Sequence, residues 1–166
     1  MIWPRRWWRK MIIEGYKFED IGRIDADRNS DGSIKLIEPQ DRYANVKGLP
    51  LNNYGSGPFC KFRMAKGLHV AGVYALCNHS VVRYIGQTTN MNRRWYNYGQ
   101  ISPKKCFKGG QETVCRLNTL IFKSLSSGET LSLWFHSVEN DKASLNTVEH
   151  ALIDSLRPIW NKARVA

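Results

Sequence analysis

The chain has 166 residues, 42% of them hydrophobic, which is enough to bury one core with some additional arm. Lysine and arginine number 25 against 14 acids, a formal charge of +11, so a polyanion is the natural partner. There is no run of 18 apolar residues to form a helical membrane span, and Cys60, Cys77, Cys106 and Cys115 have no CxxC spacing, which speaks against zinc and against a disulfide framework.

The opening MIWPRRWWRKMIIEGY mixes Trp3, Trp7 and Trp8 with Arg5, Arg6, Arg9 and Lys10. It has the charge but not the apolar stretch of a secretory signal, so residues 1 to 10 read as a basic tail and the expected compartment is the reducing cytoplasm. Further on, Asp27, Asn29, Asp31, Gly32 and Glu38 match the calcium-loop pattern D-x-[DN]-x-[DN]-G-x5-E. Pro39 follows where the exiting helix should continue, Gly22 weakens the entering one, and no second copy exists. The run from Asn29 to Gly32, between IGRIDA and SIKLIE, reads more simply as a hairpin turn. The glycine-rich stretch NNYGSGPFCKFRMAKG then carries Lys61, Arg63 and Lys66 toward the second part of the chain. Residues 1 to 66 are accordingly expected to form an N-terminal basic arm and hairpin region, DNA-contacting or dimer-forming, ahead of a catalytic unit at 67 to 166.

That unit opens with AGVYALC, the polar break Asn78-His79-Ser80, and VVRYIG, the pattern of a hairpin. With all three polar residues in the loop, Cys77 pairs with Val81 and Tyr74 falls directly opposite Tyr84. Next, Thr88-Thr89-Asn90 offers a helix N-cap, MNRRWYNY a short helix, and Gly99 its end. On that helix Arg94 and Tyr98 lie one turn apart and face the same way. A basic, glycine-rich loop leads to TVCRLNTLIFKSL, in which Val114, Leu117, Leu120, Ile121 and Leu125 recur at helical spacing. TLSLWFHSV alternates Leu131, Leu133 and Phe135 as a third strand.

The last element, SLNTVEHALIDSLRP, reads as a helix capped by Ser144 or Asn146 and ended by Pro158. Its apolar stripe runs through Leu145, Val148, Leu152 and Leu156, and Glu149 sits on or beside it. An ionised carboxylate there costs several kcal/mol unless a cation or strong donors meet it. Two readings stay open: a carboxylate at the stripe's edge helped by the helix N-terminus, or a metal ligand. Between Val81 and Lys123 eight cations face Glu112 alone, so the positive excess gathers in this part of the chain.

Taken together, GVY at 72 to 74, YIG at 84 to 86, Arg94, Glu149 and Asn161 resemble the GIY-YIG endonucleases over roughly residues 67 to 166. The chain is most similar to the small type II restriction enzymes of that family, in which a tyrosine or histidine follows the arginine by one helical turn, the place of Tyr98. Val73 replaces the isoleucine of the family name, a volume-conserving change. The resemblance implies an α/β (α+β) fold, a small mixed or antiparallel β-sheet flanked by helices. It implies cleavage of duplex DNA with one Mg²⁺ or Mn²⁺ per active site, a homodimer, and a companion DNA methyltransferase in a restriction system.

Carried onto this sequence, the resemblance makes Tyr74 the general base, Glu149 the metal ligand, Arg94 the phosphate contact and Tyr84 a hydrogen-bond partner of the first phenol. Tyr98 orients the water or that phenol, and Asn161 ties the C-terminal segment to the site or simply caps a helix end. A phenol with an ordinary pKa of about 10 needs on the order of 4 kcal/mol of help to ionise near neutrality. The basic residues expected to meet DNA are Lys61, Arg63, Arg83, Arg93, Lys104, Lys105, Lys108 and Arg116. His69, His79, His136 and His150 have no partner pattern and read as ordinary residues. The alternatives are a structure-selective or homing nuclease of the same family, a DNA-binding relative without catalysis, and a calcium-binding interaction protein resting on Asp27 to Glu38.

Overall fold

A computed structural model of the chain describes residues 9–63 and 67–162. Most of the Trp/Arg-rich start, together with Lys66, lies outside the described residues. Five strands form one sheet in the order β1-β2-β5-β3-β4, and every neighbouring pair is antiparallel. The strands are β1 (Lys10–Ile13), β2 (Tyr16–Arg23), β3 (Gly72–Asn78), β4 (Val81–Thr88) and β5 (Leu131–Ser137). The helices are α1 (Met91–Gly99), α2 (Glu112–Ser126) and α3 (Lys142–Leu156). This is an α+β fold with an antiparallel sheet.

Strand β3 lies between β5 and the edge strand β4 and is buried on both faces, so its side chains alternate between two cores. Val73, Ala75 and Cys77, with Ile85 of β4, meet Val148 and Leu152 of α3. Tyr74 and Leu76, with Tyr84 of β4, face Trp95 and Tyr98 of α1 and Leu117 and Ile121 of α2. The expected stripes on α2 and α3 are therefore the faces that pack against the sheet.

The boundary expected near residue 66 does not separate two cores. Strands β1 and β2 turn on Glu14 and Gly15, both at positive φ, and β2 then pairs with β5 in the same sheet. Phe18 enters the α3-side core, whereas Ile24, Ile34, Phe59 and Phe62 enter the other. The arm thus adds two strands to the sheet and side chains to both cores.

Three local expectations need correction. The β3–β4 loop has two residues, because Asn78 pairs with Val81, and Leu76 rather than Tyr74 lies opposite Tyr84. An irregularity at Arg83 shifts the register by one residue and turns Tyr84 back onto the Tyr74 face. Both phenols therefore share a face as expected, but through a bulge rather than a direct pair.

Helix α3 begins earlier than expected. Asp141 is its N-cap, its carboxylate accepting from Ser144 N at 2.9 Å, and neither Ser144 nor Asn146 is. Gly99 is still helical, with Gln100 as the C-cap. A side chain there would strike the Phe62 carbonyl, so close approach of two backbones explains this glycine.

The Asp27 to Glu38 segment is flanked by no α-helix, only by a single 3-10 turn at Pro39–Arg42; Arg28 bridges Ile34 and the Asp31 carboxylate accepts from Ser33 N and Oγ. Asp27 is paired with Arg63 at 3.5 Å. This is the hairpin turn, and among the described residues no group of three or more His, Cys, Asp or Glu could hold a metal ion.

Candidate active site

Three phenols converge beneath α1. The hydroxyls of Tyr74 and Tyr98 are 2.6 Å apart, and the Tyr74 ring lies 6.1 Å from that of Tyr84 and 6.3 Å from that of Tyr98. Gly86 is opposite Tyr74 on β4, and a Cβ there would collide with the Tyr74 ring. Its missing side chain is what lets that phenol cross the edge strand. Trp95 packs edge-on against Tyr98 at 6.1 Å and holds it in place.

Helix α1 owes its position to a capping bond and a buried amide. Asn90 accepts from Arg93 N at 3.0 Å at the start of the helix. At its end, the fully buried Asn118 of α2 donates to Tyr98 O and Cys60 O and accepts from Cys60 N. One side chain thus fastens α1, α2 and the Cys60 segment together, which fixes the direction of Tyr98. Nothing in the sequence singles out Asn118, because an amide on a helix has no visible partner there.

Burial pushes the Tyr74 phenol well above the ordinary tyrosine range; Tyr98 and Tyr84 push it the same way and Arg94 opposes them. Tyr84 is likewise raised, first by burial, then by Tyr98 and by the Glu149 carboxylate, with Arg116 opposing. Both groups are neutral phenols near neutral pH.

Glu149, on α3 at the edge of the Val148 and Leu152 stripe, is linked to this cluster by its electrostatic effect on Tyr84. Its side chain is only 16% exposed. Oε1 accepts from Gln87 Nε2 at 3.1 Å and lies 3.8 Å from His150 Nε2. Gln87 also donates to Asn146 at 2.7 Å, so it is clamped between two residues of α3. Sequence reasoning misses Gln87 and takes His150 as ordinary; the one signal available is Gln87's place immediately after YIG.

No lysine or arginine pairs with Glu149 among the described residues. A largely buried carboxylate met only by an amide and a histidine has room in its electrostatics for a cation. With a single acid available, a hard divalent ion would keep most of its ligands as waters or phosphate oxygens, which suits Mg²⁺ or Mn²⁺. The residues present fit such an ion.

Arg94 and Tyr98 share the wall of a groove of about 440 Å³ with Arg93, Asn97 and the Thr88–Asn90 turn. Tyr74, at 1% exposure, lies behind that wall. Asn161 is placed differently. Its amide donates to Ile85 O and accepts from Ile85 N, each at 2.9 Å, and Trp160 N bonds Arg83 O. The C-terminal segment thereby satisfies the exposed edge of β4, and Asn161 acts as a positioning residue beside YIG.

The basic residues divide into engaged and available groups. Arg83 is 18% exposed, ion-paired with Glu129 at 3.2 Å and stacked over Trp160. Arg116 donates to Trp160 O at 2.7 Å, and its buried Nε has no protein partner. Arg63 is the partner of Asp27. Arg93, Lys104 and Lys108 are exposed, while Lys61 and Lys105 line a second groove. Cys106 and Cys115 are free, buried thiols hydrogen-bonded to each other, and Cys115 Sγ also donates to Lys105 O at 3.5 Å. They fasten the Pro103–Cys106 turn to α2.

No protein-family model matches the chain, and no curated protein matches it. Among the solved structures it resembles are two point mutants of the GIY-YIG N-terminal endonuclease domain of UvrC from Thermotoga maritima, each bound to its catalytic divalent cation: 24% identity, a TM-score of 0.40, and coverage of 58% of this chain and 88% of that one. Another is a mutant of bacteriophage T4 EndoII, with 17% identity, a TM-score of 0.46, and coverage of 69% of this chain and 87% of that one.

Proposed function

We propose that this chain is a divalent-metal-dependent DNA endonuclease of the GIY-YIG type, and more narrowly a type II restriction enzyme. What supports the reading is Glu149, a largely buried acid that no lysine or arginine meets among the described residues and that acts electrostatically on Tyr84, together with the Tyr74, Tyr84 and Tyr98 cluster behind the Arg94 groove. Phosphodiester hydrolysis needs an in-line water, a proton acceptor, charge relief on the phosphate and stabilisation of the leaving oxygen. A bound Mg²⁺ or Mn²⁺ at Glu149 would supply Lewis-acid relief of phosphate charge.

The chain's own groups divide the remaining work. Arg94 meets the phosphoryl oxygens from the groove wall. Tyr74 accepts the water proton as its phenolate, its own proton having first left to solvent through the Tyr98 hydroxyl that it touches. Tyr84 and Arg94 act on the ionising phenol in opposite senses, Tyr84 favouring the neutral form and Arg94 the phenolate. Gln87 and Asn146 hold Glu149 in direction.

A palindromic target requires two such centres related by a twofold axis, so we extend the proposal to a homodimer, acting in the cytoplasm beside a DNA methyltransferase of the same specificity. Incubation with plasmid and Mg²⁺ tests the reading: discrete fragments that EDTA abolishes are expected. A smear would favour a structure-selective or unspecific nuclease, and intact DNA over a range of salt and metals would leave a binding protein. Sedimentation of the free and DNA-bound protein checks the dimer.

A further inference from the structure

A second groove is lined jointly by N-terminal residues and by the end of α1 with the turn after it, and the resemblance to nucleases, which covers roughly residues 67–166, does not account for its N-terminal wall. It has a volume of about 680 Å³ and runs from the 27–42 segment and residue 61 to the turn that follows α1. Four cations line it, Lys35, Arg42, Lys61 and Lys105, against the single carboxylate of Asp27, which already has Arg63 at 3.5 Å. Lys35 and Arg42 are exposed, and none of the four makes an ion pair among the described residues.

The two grooves adjoin at one residue. Asn97 lines both, and its Oδ1 accepts from Lys105 Nζ at 3.3 Å. Burial lowers the pKa of Lys105, Arg94 lowers it further and Cys115 opposes. An ammonium in that position gains from any anion that enters. The cations come from three separated stretches of sequence and line a groove of about 680 Å³, more room than one small anion fills. That arrangement suits a row of evenly spaced negative charges better than a single small anion. Tyr96, 59% exposed on the groove wall, offers a flat contact for sugar or base.

We propose that this groove is a track for the phosphate backbone flanking the cut site of duplex DNA, with Lys35, Arg42, Lys61 and Lys105 as its phosphate contacts. The track rests on the nuclease reading for the identity of its occupant and adds to it where the strand runs after leaving Arg94. It also gives the 27–42 segment a role: a hairpin turn that places Lys35 beside Lys61.

The experiment measures affinity for a short mixed-sequence duplex as a function of KCl, without divalent metal so that nothing is cut. Each lost duplex phosphate contact lowers the slope of log K against log[salt] by about 0.9. The triple variant Lys35→Ala/Arg42→Ala/Lys61→Ala should therefore lose about 2 to 3 from that slope. A control triple on other surfaces, Lys10→Ala/Lys17→Ala/Lys123→Ala, removes the same charge and should keep the wild-type slope. Circular dichroism checks folding. Should the first triple misfold, Lys35→Glu and Arg42→Glu, both at exposed positions, are measured singly and should each weaken binding.

An unchanged slope in the groove variants overturns the track, and so does an equal loss in both triples, which would mean diffuse attraction. Cleavage with Mg²⁺ alongside an unchanged slope sinks the track and leaves the nuclease. Selective loss of slope in a protein that never cuts does the reverse.

Discussion

The hydroxyl of Tyr74 sits 2.6 Å from that of Tyr98, and only Tyr98 lines the groove. Tyr74 therefore meets the groove through another phenol, itself only 2% exposed. If protons pass along this pair, removing either hydroxyl breaks one pathway. Tyr74→Phe and Tyr98→Phe should each lower single-turnover DNA cleavage by about 10²- to 10⁴-fold, with DNA affinity retained. The double variant should be no slower than the slower single one. Multiplicative losses would show that the two hydroxyls act independently. Because Tyr98 also raises the Tyr74 pKa, the acid limb of the remaining pH–rate profile in Tyr98→Phe should move to lower pH.

Glu149 and Gln87 give a second test, one that separates holding a metal from folding. Glu149→Gln should abolish cleavage at any metal concentration while keeping DNA binding. Gln87→Ala removes the donor to Oε1 and the tie to Asn146 but leaves the carboxylate. Its Mg²⁺ requirement should rise about 10- to 100-fold, with the rate approaching wild type at saturating metal. A rate loss that saturating Mg²⁺ does not recover would assign Gln87 some role other than orienting Glu149.

Much of this site is legible because its residues lie on short-range patterns. The Tyr74 and Tyr84 strands, the Asn90-capped helix with Arg94 and Tyr98, and the Glu149 stripe are all visible within windows of about a dozen residues. The face shared by Tyr74 and Tyr84 is reached in the sequence through the wrong register, since a one-residue bulge at Arg83 has no signature in VVRYIG. Long-range amide contacts are not legible at all. Asn118 ties Cys60 to Tyr98, and Gln87 reaches α3 across 59 and 62 residues of sequence. Nor is the union of β2 with β5 visible, because antiparallel partners more than a hundred residues apart leave no local trace.

Asn161 separates a positioning role from a catalytic one. Its amide makes two hydrogen bonds to Ile85, next to Tyr84 and Gly86. Asn161→Ala leaves both backbone groups to find water, so a loss of about 1 to 3 kcal/mol in stability is expected by urea denaturation. The cleavage rate should fall through looseness at YIG, with the pH–rate profile unmoved. Asn161→Asp keeps the acceptor for Ile85 N and should recover part of the stability.

The buried phenols and thiols also set an alkaline limit on the fold. Burial raises Cys60 and Cys77 to about 12 and lifts Tyr74 and Tyr84 above the ordinary tyrosine range. In the unfolded chain the thiols ionise near about 8.5 and the phenols near about 10. Below about pH 8 both states are neutral at these positions, and their contribution to stability is fully present. As pH rises past those unfolded values the native state holds more protons than the unfolded one, so stability falls. The expected slope is about 1.4 kcal/mol per pH unit for each group, beginning with the thiols and steepening above about pH 10. Urea midpoints between about pH 8 and 11 measure the fall. Tyr74→Phe cannot ionise in either state, so it should flatten the curve above about pH 10 and leave the thiol portion intact. A variant curve parallel to wild type there would mean that the Tyr74 phenol ionises as easily in the folded protein as in water.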